Sequence, residues 1–276
     1  MRTQWESLLQ NLGQWQGSFM RLSAQAELLE DIPSLVSLEG LNDNNTIRQT
    51  VRRFLPDAAG KLEPQDKVFE YSSLNRATLF FENGAFSQGS IQLAPFAEFG
   101  AEFGFIEGER RLRLVQLFNP DGELQGFTLI REKQLDTNVS ERPALRVEDL
   151  LGEWHGEAVS LYPDLRSPET YPTKLRLERE GDQLSQQLTY PGGEINSTAR
   201  IEGNILRFEQ GSQPIQVLLL PDGASSTTPL RVKVGQPLFL EAGWLRQYNI
   251  RQRMVRSYDT RGGWTSLTLV TEHRRN

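Results

Sequence analysis

The sequence contains no cysteine. That removes disulfides, thiol nucleophiles and cysteine-ligated metals together, and it suits a reducing compartment. Histidine is nearly absent, with two in 276 residues. There is no Gly-x-Ser-x-Gly elbow, no glycine-rich phosphate loop and no His-Glu-x-x-His. No stretch approaches the ~18 consecutive apolar residues of a membrane helix. The opening MRTQWESLLQNLGQWQG lacks the uninterrupted apolar core of a secretory signal. Charge of neither sign dominates: 30 Lys+Arg stand against 36 Asp+Glu, a net charge of −6. A mildly acidic chain lacks the concentrated basic face that nucleic acid rewards. The expectation is a soluble, cytoplasmic, non-enzymatic protein with no cofactor, no nucleic-acid partner and no transmembrane segment.

What the chain does contain is the same message twice. Leu12-Gly13-Gln14-Trp15-Gln16-Gly17 recurs as Leu151-Gly152-Glu153-Trp154-His155-Gly156. Residues 113–132 lie over 253–272 without a gap, with Arg113/Arg253, Val115/Val255, Gly122/Gly262, Thr128/Thr268, Leu129/Leu269 and Glu132/Glu272 identical. Matching beginnings and ends at nearly one offset imply two copies of one fold. The boundary belongs in the polar, Pro143-containing stretch 134–146, which predicts domains at 1–138 and 139–276.

Each copy opens with a short helical pattern: Trp5, Leu8, Leu9 and Leu12 in the first, Val147, Leu150 and Leu151 in the second, each stopped by a glycine. Thereafter Val-, Ile-, Thr-, Phe- and Tyr-rich runs recur every 8–12 residues, as in an antiparallel meander. Turns are expected at Glu82-Asn83-Gly84, Pro120-Asp121-Gly122, Glu180-Gly181-Asp182, Glu202-Gly203-Asn204 and Arg261-Gly262-Gly263. Late in the second copy, strands are expected at 229–234, 237–241 and 246–258. A meander this long exposes its edges unless it closes.

A helix, then Gly-x-Trp on the first strand, then up-and-down strands resembles the calycin superfamily of lipocalins and fatty-acid-binding proteins. The doubled arrangement resembles two-barrel proteins of unknown function from cyanobacteria and plastids. The resemblance implies an all-β fold: two tandem lipocalin-like antiparallel up-and-down barrels, each with a short entrance helix. It also implies that Trp15 and Trp154 plug the closed ends, with a basic side chain from a late strand packed across each. Arg113 and Arg253, shared by the matched late-strand segments, are the candidates for that partner. The function implied is binding of a small hydrophobic or amphipathic ligand: a fatty acid, a carotenoid or a tetrapyrrole. Bilin handling on a partner protein, as in the related bilin lyases, and a protein-interaction module with filled barrels are the alternatives.

Candidate ligand-contacting residues are Trp15, Arg52, Phe99, Phe103, Phe105 and Arg113. The three phenylalanines share one strand parity and so one face. Arg48, Arg52 and Arg53 fall on one strand, where Arg48 and Arg52 share a face. His155 and His273 fall on the first and last strands of the second copy, which pair in a closed barrel. If Trp154 points inward, His155 points outward, and two imidazoles make a poor metal site. No metal is expected.

Overall fold

The computed structural model describes residues 2–211 and 213–275. The chain forms two compact units. The first comprises Met1–Gly89, Ala101–Gln116 and Gly126–Glu141; the second comprises Ser90–Gly100, Leu117–Gln125 and Arg142–Asn276.

The first unit begins with α1 (Gln4–Leu8), set by a capping box. The Thr3 hydroxyl accepts from the Glu6 N–H at 3.1 Å while the Glu6 carboxylate accepts from the Thr3 N–H at 2.8 Å. A 3-10 turn, Leu9–Asn11, follows. The strands are β1 (Gly13–Ser23), β2 (Leu28–Leu41), β3 (Thr46–Pro56), β4 (Leu62–Tyr71), β5 (Thr78–Phe80), β6 (Phe86–Gly89), β7 (Phe99–Glu107), β8 (Arg110–Phe118) and β9 (Leu124–Gln134). They form one sheet in the order β4-β3-β2-β1-β9-β8-β7-β6-β5. The first and last long strands are neighbours, with Trp15 opposite Gln134. Among the described residues no ladder joins β4 to β5, so this barrel is open along that seam.

The second unit contributes β10 (Gly152–Leu161), β11 (Glu169–Glu180), β12 (Gln183–Tyr190), β13 (Gly193–Glu202), β14 (Ile205–Phe208), β15 (Ile215–Leu219), β16 (Ala224–Pro229), β17 (Leu238–Gln247), β18 (Ile250–Tyr258) and β19 (Trp264–Arg275). These ten close into a barrel in sequence order, β19 returning to β10. Its entrance element is a single 3-10 turn, Val147–Asp149, where a helix was expected. Three periodic apolar positions supply one turn and no more, too little to nucleate an α-helix.

Two late strands differ from the sequence reading. The stretch expected at 229–234 lies instead at Ala224–Pro229, directly after the 3-10 turn Pro221–Gly223. The stretch 246–258 is broken: β17 ends at Gln247 and β18 starts at Ile250. The turn there is Tyr248-Asn249, which carries no glycine to announce it.

The Gly-x-Trp starts are built alike. Gly13 and Gly152 sit at φ +121° and +104°, backbone that disfavours any side chain, and each aims the next-but-one residue inward. Trp15 and Trp154 are fully buried. Each indole N–H donates 2.9 Å to the carbonyl four residues earlier, Asn11 and Leu150 respectively, so burial leaves no orphan donor. Trp15 packs with Leu8, Val36, Leu38, Ile47 and Phe80; Trp154 packs with Leu145, Val147, Leu150, Leu175 and Leu177.

No helix among the described residues is long and apolar enough to cross a membrane. Removing a large ring from either cluster leaves a cavity that rigid strands cannot collapse. Trp15→Ala and Trp154→Ala should each destabilise the unit that holds the residue by about 3–5 kcal/mol in urea titrations. A wild-type midpoint for either variant refutes the plugging role.

Candidate functional site

The interior of each unit is incompletely filled. In the first, a cavity of about 560 Å³ is walled by Phe19, Val36, Leu38, Val51, Phe69, Leu74, Phe80 and Phe86, with Asn11, Gln49, Tyr71 and Gln88 among its polar groups. In the second, a cavity of about 410 Å³ is walled by Leu175, Leu177, Leu184, Leu188, Leu206, Phe208, Val217 and Phe239. Both volumes fall within the range of small-molecule sites.

Each cavity has ionised groups at its base, in matching positions. In the first, Arg111 and Arg113 share a face of β8 and both reach Glu132 on β9. Arg111 donates to its two oxygens at 2.7 and 3.0 Å, and Arg113 at 3.1 and 3.0 Å. Arg113 also donates to Glu102 on β7 at 2.8 Å. The side chains of Arg111, Arg113 and Glu132 are 3, 9 and 0% exposed. Burial acts to raise the Glu132 carboxyl, but the adjoining Arg111 and Arg113 charges and their hydrogen bonds outweigh it and hold the group at about 2. Arg113 is pushed up: its two carboxylate partners outweigh desolvation.

The second base repeats this with one change. Arg253 donates to Glu272 on β19 at 3.0 and 2.7 Å and to Glu241 on β17 at 3.1 Å. Arg251, the counterpart of Arg111, stands 3.9 Å from Glu272. The cause lies at the tryptophans. In the first unit the guanidinium over the plug is that of Arg111, 4.6 Å from the Trp15 ring centre. In the second it is that of Arg274, also at 4.6 Å from Trp154, which further donates to the Asp149 carbonyl. The corresponding residue in the first copy is Gln134.

The sequence-nominated residues separate accordingly. Arg113 lines the first cavity. It lies over Phe19 at 5.5 Å rather than over Trp15, because two residues further along β8 move it away from the closed end. Arg253 likewise lines the second cavity while Arg274 covers Trp154. Trp15 lies below the cavity and is not part of its wall. Arg52 faces away from the interior and is clamped by Asp66 at 2.8 and 2.7 Å; Gln49 and Val51, of opposite parity, face inward. Arg48 is likewise turned outward, to Glu70 at 2.7 Å. Phe103 and Phe105 are fully buried but line neither cavity, since Glu102 is the inward-facing residue of β7. Phe99 belongs to the second unit, where its ring stacks edgewise on Tyr258 at 4.9 Å and meets Phe118 at 5.9 Å. Strand alternation explains all three: the shared parity is real and points to the opposite face.

His155 and His273 are register partners on β10 and β19. His155 pairs with Glu153 at 2.5 Å. Among the described residues no three potential metal ligands cluster.

Sequence reasoning gave Arg111 a place only in a basic cluster with Arg110 and Arg113, and missed Arg251, Glu102 and Glu241 as base residues, and Arg274. The two base arginines carried a signal: Arg111 and Arg251 are identical at the 140-residue offset, two positions before the matched segment begins. The shared Glu132/Glu272 pair was visible without a role.

The fold and the two cavities define a tandem β-barrel protein with apolar, charge-based interiors. Residues 1–137 match the family model for the N-terminal DUF3598 domain, a domain of unknown function. Residues 141–275 match the model for the C-terminal domain of biogenesis factor required for ATP synthase 1. A crystal structure of a DUF3598 protein of unknown function from Nostoc punctiforme is 52% identical, covers 100% of both chains and superposes with a TM-score of 0.93. The chain belongs to the DUF3598 family. An S-type phycobiliprotein lyase from Guillardia theta is 12% identical over 47% of this chain and 90% of its own, at a TM-score of 0.38. A likeness at that level carries no functional argument. No curated protein matches the chain.

The Glu132 clamp makes a pH prediction. The folded carboxyl takes its proton near pH 2, whereas the free group does so near its ordinary 4.5. Its contribution is therefore complete above pH 4.5 and is lost as pH falls towards 2. Glu132→Gln should lower stability by roughly 3–5 kcal/mol at neutral pH, because it leaves two buried guanidinium groups without their carboxylate. Denaturant titrations should show the gap to wild type closing as pH falls through that window. A gap constant with pH would mean the carboxylate is not charged in the fold.

Proposed function

We propose that this protein is a non-enzymatic carrier or sensor of a small, mainly apolar molecule, acting in the cytoplasm through two barrel domains, 1–138 and 139–276. The observation that carries the reading is the pair of cavities, each with mainly apolar walls, a few polar side chains and an ionised base. Side chains fill neither interior, which weighs against a module whose barrels are solid. In the first barrel both base arginines are hydrogen-bonded to carboxylates of that barrel, which favours a ligand with an uncharged polar end. Asn11 supports this: its amide donates to the Gly84 carbonyl at 3.0 Å, while its buried oxygen has no hydrogen-bond partner among the described residues and adjoins the cavity. A ligand hydroxyl or N–H would satisfy it.

A second reading comes from the family model over residues 141–275, named for ATP synthase biogenesis. On that reading the barrels serve assembly of a multisubunit complex. The exposed Leu62 and Val68 of β4 beside the open seam are apolar surface for a protein partner. Loss of assembled ATP synthase in a strain lacking the gene is the outcome that would favour it. The bilin-lyase alternative predicts a coloured adduct on a client protein when protein, bilin and apo-phycobiliprotein are mixed.

The cavity reading is tested with Nile red, a neutral apolar fluorophore, alongside native mass spectrometry of protein from a photosynthetic host. Saturable, blue-shifted binding is expected, and Val51→Trp and Val217→Trp should each abolish the site in its own barrel by filling it. A bare-chain mass together with no saturable fluorescence in wild type overturns the reading.

A further inference from the structure

The two barrel bases have the same four charged positions but do not use them alike. In the first, every charged group is hydrogen-bonded: Arg111 and Arg113 both hold Glu132, and Arg113 also holds Glu102. In the second, Arg253 alone takes both carboxylates, and both of its bonds to Glu272 go to one oxygen, Oε1. Arg251 is left over. It is 5% exposed, lines the cavity, and its side chain makes no hydrogen bond among the described residues. Its nearest carboxylate oxygen, at 3.9 Å, is beyond hydrogen-bond reach.

Its guanidinium donors open onto the cavity rather than onto a protein acceptor, so an acceptor on a ligand can meet them. The second copy has released this one by a substitution elsewhere. Arg274 occupies the tryptophan face that Arg111 covers in the first copy, where position 134 is the neutral Gln134. The exchange also alters the charge. Two guanidinium groups face two carboxylates at the first base; at the second, Arg274 adds a third guanidinium, which makes no ion pair among the described residues.

We propose that the second barrel is a receptor for an anionic amphiphile, with a ligand carboxylate bound by the Arg251 guanidinium at the base and the apolar chain rising between Phe208, Val217 and Phe239. The planar fork of Arg251 offers parallel N–H donors that match a carboxylate bidentately. The inward-facing residues of β18 run Arg251, Arg253, Val255, Ser257, all on the cavity wall. That row extends roughly 20 Å at strand spacing, room for a medium-length alkyl chain. The added carboxylate balances the excess guanidinium charge and gives Arg251 a hydrogen-bond acceptor, which Glu272 at 3.9 Å does not. This inference rests on the cavity-binding reading and assigns the barrels different ligands, neutral in the first and anionic in the second.

The experiment is isothermal titration of the full chain with dodecanoate and with dodecanol, which share a tail and differ in the head. Wild type should prefer dodecanoate by roughly 10-fold or more at the second-barrel site. Arg251→Met should weaken dodecanoate by roughly 30-fold and leave dodecanol unchanged; Arg251→Lys should fall between, keeping the charge but losing the fork. Thermal melts establish that the variants fold, and if Arg251→Met does not, the wild-type ratio and Arg251→Lys decide. Equal binding of both probes by wild type, or an undiminished dodecanoate preference in either folded variant, overturns the anion assignment while leaving the cavity reading intact. Binding of neither probe, with Nile red also excluded, overturns the cavity reading and this inference with it.

Discussion

A buried carboxylate gripped by guanidinium groups organises the interior of each barrel. Glu132 and Glu272 have side chains with no exposure at all, on the last strand of their sheets. A charge in that position is tolerated only when paired and hydrogen-bonded. The pairing demands arginines on the preceding strand, facing the same way, at a fixed register. Once those side chains occupy the base, apolar groups cannot fill it. The space above them is walled by leucine, valine and phenylalanine. The cavity is thus a consequence of placing ion pairs where a small barrel would otherwise pack solid.

The duplicated design makes the second barrel a control for the first. Tryptophan plug, indole hydrogen bond, glycine with positive φ and carboxylate clamp are common to both. What differs is local. A guanidinium must lie over the tryptophan face, and it comes from β8 in one unit and β19 in the other. That choice decides whether the base is saturated or keeps one arginine for an incoming group. Seam closure differs as well: β13 and β14 pair through three residue positions in the second barrel, while β4 and β5 do not pair in the first. Duplicated domains diverge readily in this way, because the shared plug and clamp secure folding while the remaining base positions are free to change.

Much of the architecture was legible along the chain. The helix-Gly-x-Trp starts, the alternating strands and turns such as Pro120-Asp121-Gly122 are local signals, encoded in neighbouring residues. The losses were local too. Tyr248-Asn249 turns the chain without glycine, and Val147–Asp149 has too few residues for a helix. The site was less legible. Alternation placed Phe99, Phe103 and Phe105 on one face but could not say which face, since a strand's parity has no sign until a sheet curls. Arg52 failed for the same reason: its strand turns Gln49 and Val51 inward and Arg52 outward, to Asp66 on β4.

The sequence by itself determined the duplication, the strand content and the two Gly-x-Trp starts, because repeats, alternation and turn residues are properties of short segments. Tertiary structure decided which arginine meets which carboxylate, which phenylalanines line a cavity and that a cavity exists at all. Those depend on how strands meet in space, across neighbouring strands for the arginine–carboxylate pairs and from more than a hundred positions away where Trp154 on β10 receives Arg274 from β19. The difference between Arg111, hydrogen-bonded to Glu132 at 2.7 Å, and Arg251, 3.9 Å from Glu272, is set there, and no spacing along the chain carries that information.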